Sequence, residues 1–202
     1  KGDYDTAIEY YRKDEAITLA KLGADHPDLA TTYNNLGSAF KSKGDYDAAI
    51  ECHRKAEAIR LAKLGADHPL LADTYNRLGH ALDAKGDFDA ALQYHRKAEV
   101  NQLAKLGADH PNLAATFDNL GNTLRSMGQY EDTIKYFNDA LAIRVSKFGP
   151  DHPDLATSHA NLGSAHLSKG LFDLALEHYR QAAGILERKL GPEHPRLAAI
   201  FD

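Results

Sequence analysis

The chain of 202 residues contains one cysteine, Cys52, and one methionine, Met127. A single cysteine excludes an internal disulfide, and no redox framework is present. No apolar run approaches the roughly 20 residues that a membrane span requires. The first residues, KGDYDTAIEY, lack the charged start and the apolar middle of a signal peptide. We therefore expect a cytoplasmic protein that has no contact with a membrane.

The sequence also has no excess of positive charge. Its formal net charge is −5 and its pI is about 6.1, with Lys and Arg interspersed among Asp and Glu. A protein that binds nucleic acid usually shows a basic stripe for the phosphate backbone, so no nucleic-acid partner is predicted. The composition, with 43% hydrophobic and 26% charged residues, is that of a globular protein with a substantial core.

The most prominent feature is an internal repeat with a period of 42 residues. The segment KLGADHP occupies 21–27 and returns at 63–69 and 105–111, with the variants KFGPDHP at 147–153 and KLGPEHP at 189–195. A fixed period in the range of 20–50 residues is typical of solenoids and other repeat arrays. The period therefore predicts that the chain is a repeat array.

Each repeat predicts two helices. Leu29, Tyr33, Leu36 and Phe40 have the spacing of one helical face, and we name this segment helix A. After the break at 43–45, a second amphipathic pattern runs from Tyr46 to about Leu64, and we name it helix B.

The KLGADHP segment has the residues that end one helix and begin the next. Gly23 suits a left-handed C-terminal residue, and Lys21 lies in the last turn, where a cation is favoured. Pro27 suits a first turn, and Asp25 is predicted to cap that turn by accepting hydrogen bonds from its free N–H groups.

These residues resemble a tetratricopeptide repeat array of the 42-residue type found in kinesin light chains. The resemblance lies in the recurring Leu-Gly pair, the aromatic residue three positions before it, the G-D-Y/F turn and the recurring small residues. The Leu-Gly pairs are Leu36-Gly37, Leu78-Gly79, Leu120-Gly121 and Leu162-Gly163. The family implies an all-α fold, a right-handed α-solenoid of antiparallel helix pairs that forms a superhelix.

The repeat boundaries predict a single solenoid over residues 1–202. It consists of a half repeat at 1–22, full repeats at 23–64, 65–106, 107–148 and 149–190, and the start of a further repeat at 191–202. Because the chain starts and stops within a repeat, we expect a segment of a longer array. Apolar residues at both ends predict end-to-end self-association of helix 4–22 with the segment 195–202.

The eleven histidines raise the question of a metal site. His26, His68, His110, His152 and His194 are equivalent, so we expect them about 8–10 Å apart, the distance between packed helices. Such a ladder cannot converge on a zinc ion with bonds of about 2.0–2.1 Å. Positions equivalent to His53, His95 and Cys52 carry aromatic residues, which indicates packing. The set His152, His159 and His166 is only a weak hint, and neither a metal nor another cofactor is predicted.

An enzyme is not predicted. Catalytic residues occur once, whereas a repeat places each residue type several times. No unique loop, phosphate-binding glycine loop or separate Ser, His and Asp set stands outside the repeating positions.

Function is therefore expected on solvent-facing positions that vary between repeats. In the family these line a concave groove, mainly on helix A, and such polar side chains can hold the backbone of an extended peptide. Basic residues among them favour an acidic ligand. The positions implied by the resemblance are Asn34, Asn35, Ser38, Lys41, Asn76, Arg77, His80, Asp118, Asn119, Asn122, Arg125, Asn161 and Ser164.

The main hypothesis is thus a scaffold that binds a protein or peptide in this groove. Two alternatives stay open at this point. The chain could be a structural, self-assembling array without a dedicated ligand, or a sensor module of a larger signalling protein.

Overall fold

The computed structural model describes residues 3–191, 195 and 197. Over these residues the chain is helical and contains no strand, as the repeat pattern predicts. The nine helices of the described part are α1 (Tyr4–Leu22), α2 (Pro27–Lys43), α3 (Tyr46–Leu64), α4 (Pro69–Lys85), α5 (Phe88–Leu106), α6 (Pro111–Ser126), α7 (Tyr130–Phe148), α8 (Asp154–Ser168) and α9 (Phe172–Leu190).

The helices form two compact units. The first extends to Lys105 and holds α1 to α5, and the second begins at Leu106 and holds α6 to α9. Each predicted full repeat contains one helix A and one helix B, for example α2 and α3 within 23–64. The single solenoid over 1–202 stays a prediction. His194 and most of 195–202 lie outside the described residues, so end-to-end association stays a prediction as well.

The KLGADHP segment ends one helix and begins the next, but two details differ from the prediction. Gly23 has φ 85° and ψ 169°, so its φ is positive but its conformation is not left-handed helical, and the residue that caps helix A is the histidine. The Nδ1 atom of His26 accepts a hydrogen bond from the backbone N–H of Asp28 at 3.3 Å. His68 and His110 make the same contact at 3.2 and 3.1 Å. The predicted cap at Asp25 is therefore wrong. An acceptor at the cap position meets one of the unpaired N–H groups of the first turn, and imidazole serves as well as carboxylate.

The aspartate of the segment contacts the following helix B. Asp25 lies 3.6 Å from the Nζ of Lys63, and the equivalent pair of Asp67 and Lys105 is 3.4 Å apart. These side chains are exposed, so the pairs contribute little to stability. They are regular contacts of the repeat.

Helix A ends at a glycine in the left-handed conformation. Gly44 has φ 91° and ψ 5°, its N–H donates to the carbonyl of Lys41 at 3.0 Å, and the N–H of Asp45 donates to Phe40 at 2.9 Å. This arrangement satisfies carbonyls that the helix leaves free. The side chain of Asp45 then accepts from the N–H of Ala48 at 3.1 Å and begins α3.

Helices A and B of one repeat are in close contact where the predicted small residues lie. A Cβ atom on Gly37 would lie 2.7 Å from the His53 ring, and one on Gly121 would lie 2.4 Å from the Phe137 ring. The small residues Ala49 and Ala140 are completely buried. The glycine of the Leu-Gly pair is thus required by an aromatic or imidazole ring on helix B, which confirms its predicted role in packing.

No helix in the described part of the chain is both long and apolar enough to cross a membrane. Cys52 is buried in the core of the first unit, and burial raises the pKa of its thiol to about 11. This agrees with the packing role that the sequence predicts for it, since a thiol with a raised pKa is a poor nucleophile at neutral pH.

Candidate functional site

In each unit, the A helices of successive repeats contact one another through polar side chains. Between α2 and α4, Asn34 Nδ2 donates to Thr74 Oγ1 at 3.1 Å and Arg77 Nη1 donates to Ser38 Oγ at 2.8 Å. Between α6 and α8, Asn161 Nδ2 donates to Asp118 Oδ1 at 3.1 Å. The predicted positions of neighbouring A helices therefore lie on one side of each unit, which we name the A-helix face.

Two of the predicted groove residues are buried inside the units. Asn34 is 2% exposed, and its Oδ1 lies 3.0 Å from the Nδ1 of His53. Asp118 is 9% exposed and accepts hydrogen bonds from Arg144 and Asn161. The prediction of Asn34 and Asp118 as groove residues is therefore wrong. Both side chains are buried in contacts between helices and are not accessible to a ligand.

Other predicted residues lie nearer the surface but already have partners. Arg77 Nε lies 3.1 and 3.0 Å from the two carboxylate oxygens of Asp73, so its charge is paired. Asn76 Oδ1 lies 3.0 Å from His95 Nδ1, and Ser164 Oγ lies 3.1 Å from the Tyr179 hydroxyl. With Ser38 and Asn161, these residues hold helices together. A ligand would have to compete with those contacts.

A smaller set remains available on the A-helix face. Within the described part of the chain, no side-chain hydrogen bond or ion pair engages Asn35 or Lys41 in the first unit, or Asn119, Asn122 and Arg125 in the second. Asn122 is exposed and the other four are half-buried. The Nε of Arg125 is buried and has no acceptor. The first unit thus presents one asparagine amide and one unpaired cation on this face, and the second unit two amides and one unpaired cation.

A buried histidine lies directly beneath this face in the first unit. His53 is 1% exposed and its ring packs against Gly37. Burial, assisted by the charge of Arg77, lowers its pKa to about 4. The amide of Asn34 is oriented by its donation to Thr74, so its oxygen faces His53 and accepts the Nδ1 proton. His53 is therefore a neutral packing residue at pH 7, as its position in the repeat predicts.

The lowered pKa of His53 predicts that the protein loses stability in acid. The folded-state pKa lies below the unfolded value of about 6.5, so the unfolded chain binds the proton more readily. Stability contributed by neutral His53 is present above about pH 6.5 and is lost as pH falls toward about 4. We expect His53 to account for about 2 kcal/mol of the loss in unfolding free energy between pH 7 and pH 5.

Urea denaturation at both pH values measures this loss. In His53→Phe, which places at position 53 the residue type of the equivalent Phe137, the loss between pH 7 and pH 5 should be about 2 kcal/mol smaller than in the unchanged protein. An identical pH dependence in the two proteins would show that His53 is not held neutral.

Three histidines of the second unit cluster, but not the three that the spacing suggests. His152 caps α8 by accepting from the N–H of Asp154 at 3.2 Å. His178 on α9 instead joins His159, with Nδ1 atoms 3.2 Å apart, and His166, with ring centroids 5.2 Å apart. Burial lowers the pKa of all three clustered histidines. Stacked rings at positions that carry aromatic residues or leucine in other repeats are a packing feature.

One group of potential metal ligands escapes detection in the sequence. His80 and Asp83 on α4 and His95 on α5 bring one ligand atom each within 4.8 Å of one another. His80 also belongs to the predicted groove, where it is partly exposed and contacts the ring of His95 edge-on, with centroids 5.3 Å apart. The signal in the sequence is Asp83, an acid where the equivalent residues are Lys41 and Arg125.

A pocket of about 560 Å³ lies elsewhere in the first unit, along α5. Tyr75, Lys97, Val100 and Asn101 are among its lining residues. The Nζ of Lys97 lies over the rings of Tyr94 and Tyr75, at 4.5 and 5.5 Å from the centroids. None of the thirteen predicted groove residues lines this pocket, so it is a feature separate from the A-helix face.

Comparison with known proteins supports the resemblance. A tetratricopeptide repeat family model matches residues 1–62, 42–99, 100–144 and 112–188. No curated protein sequence matches the chain.

Several solved structures share the fold. The nearly identical TPR-like repeats of a kinesin light chain protein from Podosopora anserina superpose with a TM-score of 0.79 at 23% identity, over 94% of this chain and 90% of that one. BtubC (BKLC) from P. vanneervenii gives a TM-score of 0.81 at 24% identity, over 96% and 77%. MamA gives 0.63 at 23% identity, over 93% and 91%. At these identities the likeness shows the fold alone, a solenoid of packed helix pairs.

Proposed function

The chain belongs to the tetratricopeptide repeat family, and from that premise we propose that it is a non-enzymatic scaffold that binds an extended, acidic protein segment on the A-helix face. The observation that carries the proposal is that Lys41 and Arg125, at equivalent positions of the A-helix face, form no ion pair in the described part of the chain, and that the side chains of Asn35, Asn119 and Asn122 have no partner there either. Several other basic side chains of the described repeats are paired, as Lys43 is with Asp5 at 2.6 Å.

The charge of these cations favours a carboxylate ligand. Arg125 is half-buried and forms no ion pair in the described part of the chain. A ligand carboxylate at the accessible part of its guanidinium would form a charge-assisted hydrogen bond. Lys41 lies one turn after the Leu-Gly pair of its repeat, at the position equivalent to Arg125. Both units therefore offer the same type of contact.

The asparagines suit the backbone of an extended peptide. An amide side chain both donates and accepts, so Asn35 in the first unit, and Asn119 and Asn122 in the second, can each pair with a peptide group irrespective of sequence. Asn119 and Asn122 lie three residues apart on α6 and therefore project from one side of the helix. Affinity would come from the peptide backbone and selectivity from its acidic side chains.

The proposal predicts that the selected ligands are acidic and depend on the two cations. Peptides selected from a random library on the full chain should be enriched in Asp and Glu. Lys41→Glu should weaken binding of a selected peptide at the first unit, and Arg125→Glu binding at the second unit, about tenfold or more, because each replaces an attraction by a repulsion. Fluorescence anisotropy with a labelled peptide measures the change, which should shrink at high salt.

Lys135→Glu is the matched control. Lys135 is exposed on helix B of the second unit, and its replacement alters the net charge by the same amount. It should leave the affinity unchanged. If Lys135→Glu weakens binding as much as Arg125→Glu, the attraction comes from net charge and not from the A-helix face. If the selection yields no acidic ligand, the chain is better described as a structural array.

A further inference from the structure

His80, Asp83 and His95 have the geometry of an incomplete tetrahedron. A tetrahedral zinc site with bonds of about 2.0–2.1 Å places its ligand atoms about 3.3–3.4 Å apart. His95 Nε2 and Asp83 Oδ2 already lie 3.3 Å apart. The ligand atom of His80 lies within 4.8 Å of both, and a modest rotation of this partly exposed side chain would bring it closer. The group therefore needs little rearrangement to converge on one ion.

A neighbour orients the ring of His95. Its Nδ1 lies 3.0 Å from Asn76 Oδ1, and a proton donated from Nδ1 to this oxygen leaves Nε2, 3.3 Å from Asp83 Oδ2, as the nitrogen available to a metal. The equivalent pair, Asn34 and His53, has the same 3.0 Å contact with the amide fixed by Thr74, which supports this assignment. His95 Nε2 and Asp83 Oδ2 therefore face each other at the spacing of two ligands of one ion.

The combination occurs in one repeat among the described residues. Equivalent positions of His80 carry Ser38, Asn122 and Ser164, and those of Asp83 carry Lys41, Arg125 and Leu167. His95 alone has an imidazole counterpart, His53, in a repeat that carries Ser38 and Lys41 at the other two positions. A structural role in the solenoid would recur with the period of the repeat. Three ligands that meet in one repeat indicate a task specific to that repeat.

We propose that His80, Asp83 and His95 bind one divalent transition-metal ion, with zinc as the best match and the fourth coordination position open to solvent or to a partner's side chain. Two imidazoles and one carboxylate form a nitrogen-rich set that suits zinc and related metals. Calcium and magnesium prefer sets made of oxygen only. Asn76 is a positioning residue, because it orients His95 without contacting the metal. The proposal does not rest on the proposed peptide binding, although His80 lies on the A-helix face.

Calorimetric titration of the full chain, without an affinity tag, with zinc at pH 7 tests the proposal. We expect one zinc per chain at the tight site and no binding of magnesium. His80→Ser and Asp83→Lys place residues that equivalent positions already carry, and each should weaken the tight site at least about 100-fold. Asn76→Ala, which introduces the residue type of the equivalent Ala160, should weaken zinc binding at the tight site about 10–100-fold. Because His80 lies near the surface, His80→Ser is expected to fold normally.

His166→Leu is the control for the other histidines. It alters the histidine cluster on α8 and α9 and introduces leucine, the residue type of the equivalent Leu82 and Leu124. The affinity of the tight zinc site should be unchanged. Histidine side-chain ¹⁵N spectra give a second measurement. Zinc should shift Nε2 of His95 while its Nδ1 keeps the proton.

The absence of tight binding, or binding that survives both His80→Ser and Asp83→Lys, would overturn the proposal. So would a His95 that is doubly protonated at pH 7 and unaffected by zinc, since an ion pair with Asp83 would then explain the geometry.

Discussion

Arg144→Leu is expected to lower the free energy of unfolding by about 3–5 kcal/mol. The side chains of Arg144 and Asp118 are each 12% exposed and form an ion pair between α7 and α6. Arg144 Nη1 also donates to Ser158 Oγ at 2.6 Å, which links the pair to α8. Removal of the guanidinium would leave the carboxylate of Asp118 almost buried with only Asn161 as a described donor. Urea denaturation at pH 7 measures the loss.

The fourth repeat supplies the control for this prediction. Ala160 and Leu186 occupy the positions equivalent to Asp118 and Arg144, so the fold accepts an apolar pair there. The double variant Asp118→Ala with Arg144→Leu should be at least about 2 kcal/mol more stable than Arg144→Leu alone, because no uncompensated charge remains. A double variant as unstable as the single one would show that Arg144 acts through packing and not through its charge.

Gly121→Leu is expected to destabilise the second unit by about 3 kcal/mol. A Cβ atom at this position would lie 2.4 Å from Cε1 of Phe137, whose side chain is completely buried and cannot move aside. The larger side chain would force α6 and α7 apart. This loss should outweigh the gain of about 1 kcal/mol that replacing glycine inside a helix normally brings.

Gly184→Leu is the matched control in the same unit. Gly184 also lies within a helix, but a Cβ atom there would meet only the tip of the flexible Arg188 side chain, at 3.3 Å. The equivalent position in an earlier repeat carries Val100. We expect unchanged or slightly increased stability in the same denaturation experiment. Equal losses in both variants would contradict the assignment of Gly121 to the helix contact.

The helices could be predicted from the sequence because the same signals recur at each repeat. The predicted helix B from Tyr46 to about Leu64 coincides with α3, and the Leu-Gly glycine faces a ring on the partner helix as expected. Repetition separates the residues that packing requires from those that happen to occur once. The cap of helix A was predicted at the wrong residue, because Asp25 and His26 both offer an acceptor and only the backbone geometry distinguishes them.

The site was predictable only in part. Helical periodicity gives the direction of a side chain but not its depth, and the burial of Asn34 depends on His53 and Thr74 from two other helices. Arg77 resembles a free cation in the sequence, whereas Asp73, one turn earlier, pairs with it. The group around Asp83 is not predicted as a site, because His95 matches a packing position of the repeat and His80 a groove position. The informative signal is that Asp83 is acidic, whereas the equivalent Lys41 and Arg125 are basic.

The most direct test of the scaffold function is to map a selected acidic peptide onto the chain by ¹⁵N chemical-shift perturbation. We expect the largest shifts in the side-chain amides of Asn35, Asn119 and Asn122 and in the backbone around Lys41 and Arg125. The pocket along α5, with Tyr75 and Val100, should be unaffected. Shifts confined to that pocket or to the B helices, with α2 and α6 unchanged, would contradict the proposal that the A-helix face binds the ligand.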